Sequence, residues 1–265
     1  MTDKHYGPHP VASLLLRVGR NYKKITSPIA YIARRFIRHS GEKLTADNRG
    51  GCCLDIGAGV APYEKEICEA FGIESYIPVD VSASDRTKVV ADGECLPFQS
   101  ASVQLLVSFD VIQHLPNPED MLRESSRVLI PGGYIILTFP FLYPECDVHD
   151  YRRWTIEGME KAIRRVGLVP VLVERRGGTA FAVACALTWM LQHLVPGQRR
   201  TWRASHNWLG FVRAMLVAIL TLPTQLLAWA ALVLDCVLVS KGMYMGGAIL
   251  AQKQDARVNL KGGRW

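Results

Sequence analysis

No two of the seven cysteines are spaced Cys-x-x-Cys. They stand at 52, 53, 68, 95, 146, 185 and 236, mostly inside apolar runs, and read as reduced core thiols of a cytoplasmic protein. Cys146 and His149 make half of a zinc site, and no second half follows, so no metal is expected. The first fifteen residues lack a basic start followed by a long apolar core, so no secretory leader is expected. Acids are scarce at the front of the chain. Residues 1–50 hold three against ten Lys/Arg, whereas residues 51–265 hold 21 of each. The net charge of +7 therefore belongs to the N-terminal segment. Such a segment suits anionic lipid head groups or nucleic acid, or is simply a solvated basic helix.

The glycine fingerprint of dinucleotide-binding proteins is also incomplete. Cys52–Ile56 reads as a buried strand that breaks into Gly57-Ala58-Gly59 before a helical pattern over 63–71. Pro62 occupies the place of the third glycine. Strand, glycine turn and helix bring a nucleotide-like ligand to the C-terminal edge of a parallel sheet. Glycine lets the backbone approach such a ligand more closely than a Cβ would allow.

From residue 51 strands alternate with helices, which implies a doubly wound, mainly parallel α/β sheet. Further strands are expected at Ser75–Val79, Lys88–Ala91, Gln104–Phe109, Tyr134–Phe139 and Val169–Glu174. Helices are expected over Glu119–Val128, closed by Pro131-Gly132-Gly133, and over Ile156–Val166. A seventh strand is expected within Gly246–Gln252. Between strands six and seven lie three apolar stretches, Thr179–Val195, Trp208–Leu222 and Thr224–Val239, with the basic loop Arg199-Arg200-Thr201-Trp202-Arg203 after the first. The expected division is 1–48, basic amphipathic helices; 49–176 with 244–254, the core; 177–243, an apolar helical insertion; 255–265, a tail.

Each apolar stretch is shorter than the ~20 residues that span a bilayer. Arg213 and Asp235 fall inside them, which is costly at membrane depth. Spanning helices are therefore not expected. A lid over a small acceptor, a homodimer interface and a dip into one leaflet remain open.

Acids mark the ends of successive strands. Asp55 precedes the glycine turn, Asp80 ends the second strand and Asp92 the third. An acid about 20 residues past the turn suits a ribose, and one on the next strand suits an exocyclic amine. The chain here resembles a known family through an ordered set of pieces. These are Asp-Ile-Gly-Ala-Gly, Val-Asp-Val-Ser, Ala-Asp-Gly-Glu-Cys-Leu-Pro-Phe, Ser-Phe-Asp-Val-Ile-Gln-His-Leu and Arg-Val-Leu-Ile-Pro-Gly-Gly-Tyr. Together they resemble the class I S-adenosylmethionine-dependent methyltransferases, in particular the small-molecule group called type 11. The resemblance covers about residues 50–175 and the last strand, and implies a seven-stranded Rossmann-like sheet.

By that resemblance Gly57, Ala58 and Gly59 pass under the amino-acid part of S-adenosylmethionine, and Asp55 holds its ammonium side. Asp80 with Val81 takes the ribose, and Asp92 with Gly93 the adenine amine. Ser108, Phe109 and His114 line the sulfonium side. Gln113 stands where many members have Glu. A base for the acceptor would come from His149 or Asp150 in His-Asp-Tyr-Arg-Arg-Trp-Thr, or from His114. Tyr151, Arg152 or Trp154 would hold the acceptor.

The expected function is methyl transfer to a small or lipid-linked acceptor, by a cytoplasmic enzyme that touches the inner membrane face peripherally. An RNA methyltransferase and a non-catalytic membrane-docked scaffold are the alternatives. No Asn-Pro-Pro-Tyr-like motif follows strand four, which counts against RNA, and the intact strand-tip acids count against a scaffold. Pro62 and the Gly132-Gly133 pair count against a nicotinamide enzyme.

Overall fold

The structure is a computed structural model that describes residues 27–44, 49–145, 149–193, 208–237 and 242–254, with side chains left aside at 191–193 and 208–222. Residues 1–26 and 45–48 of the expected N-terminal helical segment, Cys146, the basic loop 199–203 and the tail 255–265 lie outside those residues.

The chain divides into two compact units, one holding residues 32–176 and 244 onward, the other holding 177–243 with the segment up to Tyr31. In the first unit seven strands form one sheet: β1 (Cys52–Ile56), β2 (Ser75–Asp80), β3 (Val89–Val90), β4 (Val103–Phe109), β5 (Leu129–Pro140), β6 (Leu168–Arg176) and β7 (Gly246–Lys253). Their order is β3-β2-β1-β4-β5-β7-β6. β7 runs antiparallel to both neighbours, and the other pairs are parallel.

Alternate side chains leave the sheet on opposite faces, and both faces are covered. Leu54 and Ile56 of β1 belong to a core with Met121, Leu122 and Val128 of α3 (Pro118–Val128) and Met159 and Ile163 of α4 (Ile156–Arg165). Cys53 belongs to the opposite core, with Phe36 and Ile37 of α1 (Pro28–Glu42) and Ile67 and Phe71 of α2 (Glu64–Phe71). The chain's first described helix is therefore partly core. Three of its basic residues are engaged as well: Arg34 meets Glu66, and Arg35 and His39 meet Glu174.

Two features differ from those expected. The third strand is only Val89–Val90. Pro131-Gly132-Gly133 does not close the preceding helix, because α3 passes into β5 at Leu129. The triplet forms a bulge in β5 instead. Val103 pairs with Leu129 and Leu105 already with Tyr134, so three extra residues are accommodated. A positive φ of 79° at Gly132 makes this bend possible.

The second unit is built on two helices, α5 (Thr179–His193) and α6 (Trp208–Val237). α6 runs unbroken through Pro223 for 30 residues, where two separate stretches were expected. Proline removes one backbone donor and strains the turn before it, but an almost wholly apolar sequence on either side keeps the helix going. The separation on which the length argument rested is thus absent. Among the described residues, no helix is long and apolar enough to cross a membrane. Asp235 is not a stray charge either. Its carboxylate accepts the backbone N–H groups of Gly178 (2.8 Å), Ala180 (2.9 Å) and Phe181 (3.0 Å) at the start of α5. Those donors have no partner inside their own helix, and a carboxylate there also meets the positive end of the helix dipole. Tyr31 packs on Trp229 with ring centroids 5.2 Å apart.

Candidate functional site

The strand order sets Asp92, Asp80, the glycine turn and the tip of β4 in succession along one sheet edge. The turn is hooked to β2, since Gly57 N–H (2.8 Å) and Ala58 N–H (3.1 Å) both donate to the Val79 carbonyl. Two glycines do different work here. Gly57 has φ +69°, and a Cβ on it would stand 2.4 Å from Cγ2 of Val111, so the chain after β4 lies directly against the turn. Gly59 has φ +54°, and a Cβ on it would meet nothing within 4 Å. The backbone there faces open space that a side chain would fill.

Asp80 ties this turn to its own strand tip. Its Oδ2 accepts the Gly59 N–H and its Oδ1 the Ser82 N–H, each at 2.9 Å. Asp92 folds a similar loop, accepting the Glu94 N–H at 2.9 Å. Gly93 is needed for packing, because its Cβ would lie 2.9 Å from Ile56 Cγ2. Val81 is 66% exposed beside Asp80, and Ala58 is buried.

Asp55 lies beneath the turn, only 4% exposed, and accepts the Tyr76 hydroxyl. Burial pushes its carboxyl up to about 7; the Tyr76 hydrogen bond opposes this, and the Asp80 charge adds to it. The native carboxyl therefore holds a proton that the unfolded chain releases near pH 4. Its contribution to stability is full below that pH and is lost as pH rises through 7. Between pH 5 and pH 8 the wild type should lose about 2–3 kcal/mol relative to Asp55→Asn. Denaturant titrations across that range measure the difference, and parallel curves would remove the assignment.

At the tip of β4, Ser108 is turned inward. It is 1% exposed, and its hydroxyl donates to the Ile56 carbonyl at 3.2 Å. It links two strands and does not line the cleft. Phe109 packs against Tyr63, with ring centroids 4.8 Å apart. Asp110 has φ +54°, rare for a residue with a Cβ. Its N–H reaches Thr138 of β5, at 3.0 Å to the hydroxyl and 3.2 Å to the carbonyl. Its carboxylate is ion-paired with Arg176 at the end of β6, a buried guanidinium. Burial opposes the Arg176 charge, but Asp110 outweighs it and leaves the guanidinium more basic than usual. Burial likewise pushes the Tyr63 phenol up. The sequence reading gave Asp110, Arg176 and Tyr63 no role. The available signal was an acid directly after strand four.

The loop after β5 holds the other expected residues. Tyr151 N–H donates to the Gln113 carbonyl at 2.9 Å, and His114 Nδ1 contacts the His149 carbonyl at 2.7 Å. A carbonyl only accepts, so Nδ1 carries the proton. His149 Nδ1 lies 3.1 Å from the Tyr151 hydroxyl. Asp150 is committed elsewhere. Its side chain is 1% exposed and gripped at both oxygens by Arg153, which also donates to the carbonyls of Tyr143 and Pro144. A carboxylate so held staples the loop and is a poor base. Arg152 lies on the surface, 3.9 Å from Glu119. Trp154 donates its backbone N–H to Pro140 at 3.3 Å, while its buried indole N–H has no partner among the described residues. Buried Gln113 Oε1 has none either.

Residues 54–137 match the family described as "Methyltransferase domain". A Caenorhabditis elegans sterol 4-C-methyltransferase is 33% identical over 97 residues, which is 33% of this chain and 27% of that protein. A malonyl-[acyl-carrier protein] O-methyltransferase of Marinomonas sp. is 32% identical over 104 residues, 34% of this chain and 38% of that protein. The chain thus spans well under half the length of these relatives. Among solved structures, a sarcosine dimethylglycine methyltransferase from Galdieria sulphuraria, so described, superposes with a TM-score of 0.52 at 17% identity, covering 86% of this chain and 85% of that one. That likeness concerns the fold alone.

Proposed function

We propose that this chain, whose residues 54–137 match a methyltransferase domain, is a class I S-adenosylmethionine-dependent methyltransferase that binds S-adenosylmethionine at the tips of β1 to β4 and methylates a small or lipid-linked acceptor. The observation that supports this reading best is the cradle at Gly59, open where a Cβ would stand and closed on one side by Asp80. Gly57, Ala58 and Gly59 would carry the amino-acid portion of the cofactor. Asp80 would accept the ribose hydroxyls with lone pairs its two backbone donors leave over, and Asp92 the adenine amine. Asp55, buried under the turn, would act through the backbone above it. When bound, the cofactor supplies a methyl group already activated on a sulfonium. The chain's own task is to align the nucleophile and exclude water.

Calorimetry with S-adenosylhomocysteine tests the binding. Saturable binding by the wild type and a loss of about tenfold or more in Asp80→Ala is the expected outcome, since a charge-assisted hydrogen bond contributes about 1.5–3 kcal/mol. A protein that binds neither the cofactor nor its product contradicts the reading.

The lipid-linked acceptor is supported by the helical unit. Val183, Leu187 and Met190 of α5 recur at helical spacing and are exposed, as are Leu226, Val233 and Val237 of α6. Two of the relatives named above are described as acting on a sterol and on an acyl-carrier-protein conjugate. Transfer of labelled methyl to total lipid extract, with flotation on anionic vesicles, tests this. A chain that stays unbound and labels only water-soluble products contradicts it. RNA fits less well. Arg34 and Arg35 are paired with acids, and Tyr31 packs at a tilt against Trp229.

A further inference from the structure

We infer that Asp110, held by Arg176, is the carboxylate that meets the acceptor, and that the acceptor atom is an oxygen or nitrogen bearing hydrogen. This rests on the methyl-donor reading and adds to it the residue and the class of atom. Four observations carry it. With Asp80 and Asp92 on the adenosyl side, the reacting end of the cofactor falls on the other side of the glycine turn, towards β4 and β5. Asp110 stands there, one residue before Val111, whose side chain packs on Gly57. Its backbone is kept at φ +54° by two hydrogen bonds to Thr138, a strained shape that over-determined surroundings maintain. One carboxylate oxygen is taken by buried Arg176, while Oδ2 has no partner among the described residues and the side chain is 40% exposed.

Of the other candidates, Asp150 has both oxygens on Arg153. His149 leans on Tyr151, and His114 gives its Nδ1 proton to the His149 carbonyl, which leaves Nε2 as its one acceptor. Arg176 fixes the plane of the Asp110 carboxylate, so Oδ2 can accept a hydrogen bond from an O–H or N–H and aim that atom's lone pair at the methyl carbon. The lone pair forms the new bond to carbon, and the electrons of the broken carbon–sulfur bond return to sulfur, which becomes a neutral thioether. The proton released from the oxygen or nitrogen passes to Asp110 and from its exposed edge to water. Arg176 is a positioning residue in this account.

The test needs no acceptor. Sinefungin replaces the methylated sulfur of the cofactor with a carbon that bears an amine, so it presents an ammonium where the methyl group would stand. S-adenosylhomocysteine presents nothing there. Calorimetry with both ligands should show that Asp110→Asn binds S-adenosylhomocysteine as the wild type does but weakens sinefungin by about tenfold. Should Asp110→Asn fail to fold, Arg176→Met addresses the same point, and it should lose sinefungin preference in the same direction. An unchanged preference with S-adenosylhomocysteine binding intact overturns the role of Asp110 alone. A wild type that binds neither ligand overturns the methyl-donor reading, and this inference with it.

Discussion

Gly57→Ala should lower the stability of the sheet unit by roughly 2–4 kcal/mol, whereas Gly59→Ala should lower it by only about 1 kcal/mol and yet abolish cofactor binding. The two glycines stand two residues apart, and both have positive φ, +69° and +54°. Both substitutions therefore carry the left-handed penalty of a Cβ. What differs is the surroundings. At position 57 the new methyl would lie 2.4 Å from one Val111 methyl and 2.8 Å from the other, inside the packing between the turn and the chain after β4. At position 59 it would meet no protein atom within 4 Å. Its only effect beyond the backbone is to occupy the cradle. Thermal melts and S-adenosylhomocysteine calorimetry on the two variants separate the effects. A Gly59→Ala protein that binds normally would show that no ligand approaches this backbone.

Asp235→Ala should loosen the helical unit by roughly 2–3 kcal/mol and leave the melting of the sheet unit unchanged. Three backbone N–H groups at the start of α5 lose their acceptor at once. The loss exceeds that of an ordinary cap because the donors sit under the end of α6 and water replaces the carboxylate poorly. The site is built around this acid. A Cβ on Gly178 would lie 2.6 Å from the Asp235 carboxyl carbon, so only glycine admits the carboxylate so close. Asp235→Asn keeps an acceptor oxygen and should lose less than half as much. Hydrogen exchange at the amides of Gly178, Ala180 and Phe181 reads the change directly, and protection equal to that of the wild type in Asp235→Ala would refute the assignment.

Local chemistry made much of this protein legible. Cys52–Ile56 followed by Gly57-Ala58-Gly59 could only be a buried strand breaking into a glycine turn, and β1 has those bounds. Asp80 and Asp92 were legible as strand-end acids, because the end of a strand is a local feature, and both accept loop N–H groups there. Alternating apolar runs marked a sheet covered on both faces, since such strands have no polar side to show. These features follow from a few neighbouring residues, so the one-dimensional order of the chain was enough to determine them.

Other features depend on residues far apart in sequence, and only the tertiary structure decided them. Asp110 and Arg176 are 66 positions apart and meet because the strand order puts the tips of β4 and β6 on one edge, with β5 and β7 between. Asp150 read as a base because nothing in its own motif says that Arg153 grips it at both oxygens. Asp235 read as a misplaced charge because its partners lie 54 to 57 residues earlier. Trp208–Leu222 and Thr224–Val239 read as two stretches, while the structure carries one helix through Pro223 between them. In each case the sequence determined which groups are present, and folding determined which of them are already satisfied. A side chain is free for chemistry only after its structural partners are counted, and those partners are brought to it by the packing of distant elements.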